Sequence, residues 1–394
     1  MADQKITWAN FLHIYQPPTQ FPVMLRQIAE QSYFELTALL RTNPKAKITL
    51  NINGSLTEQL ETQGLGLLLE QIKELADRGQ IEFTGSAKYH PILPKLPKEE
   101  IKRQIELNTE TNRKFFGNFW KPQGFFPPEM AYSQDVAEVV TQSGFKWMIL
   151  SEYGFPPDIS TRPDNSVIYS HKGLPLKLFF RDHQTSIDLA FGKIWSATDF
   201  MTMVERETQP GQYLLTAMDG ETFGHHRPGL EKVLAEIYAH PATDSKLVSE
   251  LLDIYPKGPE VEPLPSSWGL EEEDLKRGYP YPRWDYPGNS IHSRQWELVN
   301  LAIKSVWAIA KTDPGYQAMR EKLDRALHSD QFWWAGGRPN WHFRMVEMGG
   351  RMLKDIVQES PGASPEDKNQ ALNLYREIVD LGMKLHGDRV IEIK

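Results

Sequence analysis

Over the first 255 residues of this 394-residue chain, short apolar runs alternate with longer amphipathic segments, and this rhythm limits the fold more than any other feature. The runs at 5–14, 47–52, 81–85, 124–126, 146–150, 176–180 and 213–218 read as strands. Segments 23–41, 56–78 and 97–116 read as helices; in the first, Val23, Ile28, Phe34, Leu36, Leu39 and Leu40 follow helical spacing. Strands alternating with helices predict a parallel sheet with crossover helices. The strands are near-continuous apolar runs, as expected where both faces are buried. Seven such runs favour a barrel, incomplete, over an open sheet.

After residue 291 the spacing becomes helical throughout. Trp296, Val299, Ile303, Val306, Trp307 and Ala310 form one stripe, and Leu374, Ile378, Leu381 and Leu385 another. The expected fold class is α/β, an incomplete (β/α)7 TIM-like barrel with a C-terminal helical bundle. The expected domains are a barrel over 1–290 and a bundle over 291–394 that completes the active site. The stretch 256–290 holds seven prolines, with Trp268, Tyr279, Tyr281, Trp284 and Tyr286, and reads as a long loop inside the first domain. Long loops in compact proteins are functional or disordered, and its aromatic content argues against disorder.

Composition removes several classes of function. The net charge is −8 with no basic run, so neither nucleic acid nor an anionic membrane surface is an expected partner. There is no cysteine, which excludes disulfides, iron–sulfur clusters and thiolate-held zinc. No window approaches 18 uninterrupted apolar residues, and MADQKITWAN lacks a basic start followed by an apolar stretch. The expected location is the cytoplasm.

Polar clusters follow the strands directly, where parallel α/β folds bind ligands. In GFFPPEMAY (124–132), Glu129 follows two prolines that stiffen its loop; the competing reading is a carboxylate capping a helix that begins near Ser133. In AMDGETFGHH (217–226), Asp219 and Glu221 flank a glycine, followed by His225 and His226. Crowded carboxylates at a strand end raise one another's proton affinity, which suits a general acid. HIYQPP (13–18) offers His13 and Gln16, AKYHPILP (87–94) offers His90, and ALHSDQFWWAG (326–336) sets Asp330 beside Trp333 and Trp334. With 11 Trp and 14 Tyr in the chain, several of them in loop-like stretches, stacking on flat sugar faces is an attractive use, although a lone aromatic is more often core.

HIYQP, NINGSL, FPPEMA, DGETFGHH and HSDQFWW, in this order, resemble the five signature regions of glycoside hydrolase family 57, over roughly residues 5–345. The resemblance implies an incomplete seven-stranded barrel followed by a helical domain. It implies a retaining mechanism on α-glucans or maltooligosaccharides, of α-amylase or 4-α-glucanotransferase type, with no cofactor and no catalytic metal. By that resemblance Glu129 is the nucleophile and Asp219 the acid/base. His13, Gln16, Asn53, His90, Phe126, Glu221, His225, Trp268, Asp330 and Trp333 are the candidate substrate contacts. Two positions depart from the family pattern: where His-Gln-Pro is usual, Tyr15 precedes Gln16, and Phe126 replaces a tryptophan three residues before the nucleophile.

Two other readings remain open. A metal-dependent deacetylase on a related barrel has Asp219, His225 and His226 as candidate ligands, though adjacent histidines diverge unless the backbone turns sharply. A non-catalytic α-glucan-binding protein on the same scaffold is the other, since fold alone does not dictate function.

Overall fold

A computed structural model describes residues 5–160, 162–337 and 341–392 of the chain. The first four residues of the amino-terminal reading, four positions of the span that carries the family resemblance, and the last two of the expected bundle lie outside the described residues. The chain divides into two compact units, Met1–Lys88 with Leu93–Trp268, and Tyr89–Ile92 with Gly269–Lys394.

The first unit is an incomplete (β/α)7 barrel. Its strands are β1 (Ile6–Ile14), β2 (Ile48–Ile52), β3 (Ile81–Gly85), β4 (Gly124–Phe125), β5 (Trp147–Leu150), β6 (Ile168–His171), β7 (Lys177–Phe180), β8 (Tyr213–Asp219), β9 (Thr243–Lys246) and β10 (Lys257–Val261). They pair in the order β10-β6-β7-β5-β4-β3-β2-β1-β8, with β9 also on β1. Every pairing is parallel except β6 with β7.

The seven runs read as strands are β1 to β5, β7 and β8. The other three strands have no apolar run to reveal them. In β9, Thr-Asp-Ser-Lys is half-buried at every position, so it needs no apolar side chains. In β10, Lys-Gly-Pro-Glu-Val ends the sheet and its register slips between Lys257 and Glu260. A proline is tolerated at an edge or a bulge. The expectation of a loop over all of 256–290 is corrected there, and again by the short helix Glu272–Lys276.

Helices cover the strands between crossings. The segment 56–78 is two helices, Gly54–Thr62 and Gly66–Asp77, because Gly64 takes φ 73°. The segment 23–41 is likewise interrupted, by a π-helical turn over Ala29–Tyr33. Such turns insert a residue into a helix and recur at functional sites.

A two-residue alternation sorts the core. On β1 and β8, Trp8, Leu12, Ile14, Leu214 and Met218 pack outward under the helices, while Ala9, Phe11, Tyr213, Leu215 and Ala217 pack inward with Trp147, Ile149 and Phe179. Burying a side chain of this size stabilises by about 1.5–3 kcal/mol, so both layers strongly oppose a register slip. Continued by one step, the inward row reaches His13 on β1 and Asp219 on β8, which are register partners.

The second unit is helical, with Ser290–Trp307, Tyr316–Ala326, Asp330–Trp333, Phe343–Glu359 and Pro365–Glu392 as its main helices. Trp296, Val299, Ile303 and Val306 are buried as the stripe implies, but Trp307 is exposed. No helix among the described residues is long and apolar enough to cross a membrane.

The strand that leads to Glu129 is tightly fitted. A Cβ on Gly124 would stand 2.2 Å from the buried Trp147 indole. Gly124→Ala is therefore expected to lower the free energy of unfolding by about 1–3 kcal/mol through overpacking. An unchanged urea midpoint would show instead that Trp147 can move aside.

Candidate active site

β8 delivers Asp219 to the carboxyl end of the barrel and passes into the turn Gly220–Thr222, which buries Glu221. Three consecutive residues of the π-helical turn hold this segment. Gln31 Oε1 lies 2.8 Å from His225 Nδ1. Ser32 Oγ donates to Gly220 O at 2.9 Å, and the Tyr33 hydroxyl donates to Glu221 Oε1. The same carboxylate oxygen accepts from Gln16 Nε2 at 3.1 Å and from the Tyr15 amide at 3.3 Å. Glu221 is thus enclosed by protein donors from the loop after β1 and from the helix that follows it.

Burial raises the proton affinity of both carboxyl groups in this turn. At Asp219 the guanidinium of Arg181 works against the burial. At Glu221 burial is reinforced by the charge of Asp219 and opposed by the hydrogen bond from Tyr33. The two groups interact, so they take up protons as a pair.

Glu129 reaches the same end from β4. It sits in a single turn, Pro128–Met130, at φ 61° and ψ 17°, followed by Met130 at φ 49°. Left-handed backbone at a non-glycine residue costs about 1–3 kcal/mol and survives where its surroundings enforce it. Trp268 enforces it here. Its backbone amide donates to Glu129 O at 2.9 Å and its indole Nε1 donates to Glu129 Oε2 at 2.6 Å. The helix cap proposed for Glu129 belongs to Ser133, whose Oγ accepts from Val136 N at the start of Gln134–Gln142. Glu129 is not a cap.

His13 links these parts. Its ring lies 4.9 Å from Phe126 and 6.0 Å from Trp268, centroid to centroid, and its Nδ1 is 2.8 Å from Asn51 Oδ1. Asn51 in turn donates to Thr84 Oγ1 at 3.0 Å, tying β1, β2 and β3 together below the site. Phe126 is fully buried against Phe11, His13 and Trp268, so the replaced tryptophan position is a packed floor. Asn53, at the start of the helix Gly54–Thr62, is also fully buried, and its Nδ2 donates to Ala87 O.

Glu129, Asp219, His13, Gln16, Phe126, Glu221, His225 and Trp268 therefore lie on connected elements of the barrel unit. His90, Asp330 and Trp333 belong to the second unit. There His90 has φ 56° and its Nδ1 is 2.9 Å from Ser329 Oγ; Asp330 Oδ2 is 3.1 Å from His328 Nδ1; Trp333 packs on the buried Trp284 with ring centroids 5.6 Å apart. Among the described residues no three His, Asp or Glu side chains gather as a metal site requires.

Two residues of this region, Tyr33 and Arg181, have no counterpart in the sequence motifs, and Asn51 lies in NINGSL without being singled out there. Arg181 carried a usable signal, since an arginine directly after the apolar run Leu-Phe-Phe sits where ligands bind. Tyr33 had none, because its place inside a helical segment hides what the π turn does.

Because the folded state binds the Glu221 proton more tightly than the unfolded chain, stability is greatest below the ordinary carboxylate range and is lost as pH rises through the raised folded-state value. Glu221→Gln keeps the shape without the titration. Its stability relative to the parent protein is expected to improve steadily from pH 5 to pH 9 in urea unfolding. A constant difference across that range would contradict the raised affinity.

Residues 10–239 match the family described as glycosyl hydrolase family 57, more than half of the chain. An α-amylase of Pyrococcus horikoshii is 24% identical over 284 residues, 69% of this chain and 44% of that protein. A 4-α-glucanotransferase of Thermococcus litoralis is 24% identical over 152 residues, 39% of this chain and 22% of that protein. The chain thus spans less than half the length of these curated relatives. Among solved structures, a GH57 branching enzyme of Thermococcus kodakaraensis in complex with glucose aligns with TM-score 0.69 at 16% identity, over 97% of this chain and 96% of that one. The Thermococcus litoralis 4-α-glucanotransferase aligns with TM-score 0.67 at 18% identity, over 90% and 59%. With the family match covering most of the barrel, the chain belongs to glycosyl hydrolase family 57.

Proposed function

We propose that the protein is a retaining α-glycosidase acting on α-glucans, of the α-amylase or 4-α-glucanotransferase kind, with Glu129 as nucleophile and Asp219 as acid/base. The observation that carries this reading is the contrast between the two carboxyl groups. Burial raises the proton affinity of Asp219, as a group that must donate a proton near neutral pH requires. Glu129 is held at two points by Trp268, in a backbone conformation it would not adopt unaided, which fixes the direction of its carboxylate. Two carboxyl groups in different roles are what glycosidic bond cleavage with retention demands.

In the first step Asp219 gives its proton to the glycosidic oxygen while a Glu129 oxygen bonds to the anomeric carbon. The bond to the leaving sugar breaks and a glycosyl-enzyme ester forms. In the second step Asp219, now a carboxylate, takes a proton from the incoming hydroxyl, whose oxygen displaces Glu129. Water as that acceptor gives hydrolysis, and a sugar hydroxyl gives transfer. Both α-amylases and 4-α-glucanotransferases stand among the relatives. An α-glucan is accordingly the proposed substrate, and the acceptor sets the net reaction.

Incubation with maltoheptaose separates these outcomes. Longer and shorter chains together mean transfer, shorter chains alone mean hydrolysis, and binding without any product would support the non-catalytic alternative. The first product should carry the α configuration by NMR; a β product would overturn retention.

Glu129→Gln is expected to lower turnover about 10³-fold or more while leaving substrate affinity within a few-fold. Asp219→Asn should cost natural maltooligosaccharides about 10²–10⁴-fold and activated aryl glycosides much less, because a good leaving group needs little protonation. Equal losses on both substrates would remove Asp219 from the acid/base role.

A further inference from the structure

Arg181 follows β7 and is almost wholly buried, yet its guanidinium is committed to neutral acceptors. One terminal nitrogen donates to Ala217 O at 3.2 Å. The other donates to Trp268 O at 3.2 Å and lies 3.2 Å from His183 Nδ1. The guanidinium carbon stands 5.6 Å from the centroid of the Trp268 ring. His183 is able to accept, because burial and the charges of Arg181 and Arg162 bring its pKa down to about 4 and leave it neutral. Burial draws Arg181 itself down to about 10, still protonated at neutral pH.

A buried cation without a direct carboxylate partner is expensive, so its position calls for a reason. The negative charges that act on it from a distance are Glu152, Asp219 and Asp182. Two of the carboxylates have other duties. Glu152 accepts from the His183 amide at 2.9 Å and meets Arg162 at 3.4 Å. Asp182 caps the helix His183–Ala190 by accepting from Thr185 N at 2.7 Å. Asp219 is the remaining counter-charge, two residues along β8 from the Ala217 carbonyl that Arg181 grips.

We propose that Arg181 is a positioning residue for both reacting carboxylates: it anchors Trp268, which orients Glu129, and it turns a buried positive charge toward Asp219. The proposal rests on the assignment of Glu129 and Asp219 made above. Its physical content is a balance. Burial makes Asp219 hold its proton; a general acid must also release it. Arg181 supplies the opposing attraction. Glu221 in the following turn, Tyr33 from the π-helical turn and His13 from the neighbouring strand also face Asp219, and none of them brings a permanent positive charge.

Removing the charge makes Asp219 hold its proton to higher pH, so the alkaline limb of kcat/KM moves up. Arg181→Gln is expected to shift that limb upward by about one pH unit or more. Arg181→Lys keeps the charge and loses the planar fork. It should leave the limb near its original position while kcat falls about 10-fold on natural and activated substrates alike, with KM little changed, because Glu129 loses its support.

An unmoved limb in Arg181→Gln, with parental circular dichroism, overturns the electrostatic half. Full activity of Arg181→Lys on the activated glycoside overturns the positioning half. If Arg181→Gln does not fold, the lysine variant still decides, since a limb shifted upward despite its retained charge also counts against the proposal. Asp219→Asn is the control. If that variant loses natural and activated substrates equally, the underlying assignment fails; if it discriminates as expected, a negative result with Arg181 rejects only the inference drawn here.

Discussion

The pairing of β1 with β8 sets the site. Its register places His13 opposite Asp219, and the inward row Ala9, Phe11 and Tyr213, Leu215, Ala217 leads up to them. A slip of one residue would turn Asp219 outward and a leucine or methionine inward, at the cost of both apolar layers. β1 also pairs with β2 and β9, so one strand carries the register of this whole side of the sheet. The chemistry at the carboxyl end therefore inherits its geometry from the packing below it.

Several features of that end oppose folding. Glu129 and Met130 hold left-handed backbone, Glu221 is buried in the turn directly after Asp219, and the buried Arg181 has no carboxylate hydrogen bond among the described residues. Each is tolerated because a rigid neighbour over-determines it. Trp268 grips Glu129 at two atoms, Tyr33 and Gln16 hold Glu221, and Ala217 and Trp268 hold Arg181. Such residues keep function at some expense of stability, and removing the neighbour is more damaging than removing the strained group.

Much of the barrel was legible because burial on both faces imposes long apolar runs, which is why β1 to β5, β7 and β8 stand out in the sequence. β9 and β10 did not, since partly exposed strands need no such run, and β6 did not because Ser170 and His171 break its apolar character. Glu129 and Asp219 were recognisable as polar groups placed directly after strands and by their resemblance to a known family. Phe126 was read as a sugar contact, and the structure puts its ring in the floor beneath His13. Trp268 is a candidate substrate contact in the sequence, but its grip on Glu129 spans 139 residues and leaves no local trace.

The sequence by itself determined the alternation of strands and helices, the placing of carboxylates at strand ends and membership of a hydrolase family, since all three are written in residue type and spacing along the chain. The tertiary structure decided which groups set the state of those carboxylates. Arg181, Tyr33 and Trp268 act from elements far apart in sequence, and both burial and charge interact through distance in space, which the linear order does not record.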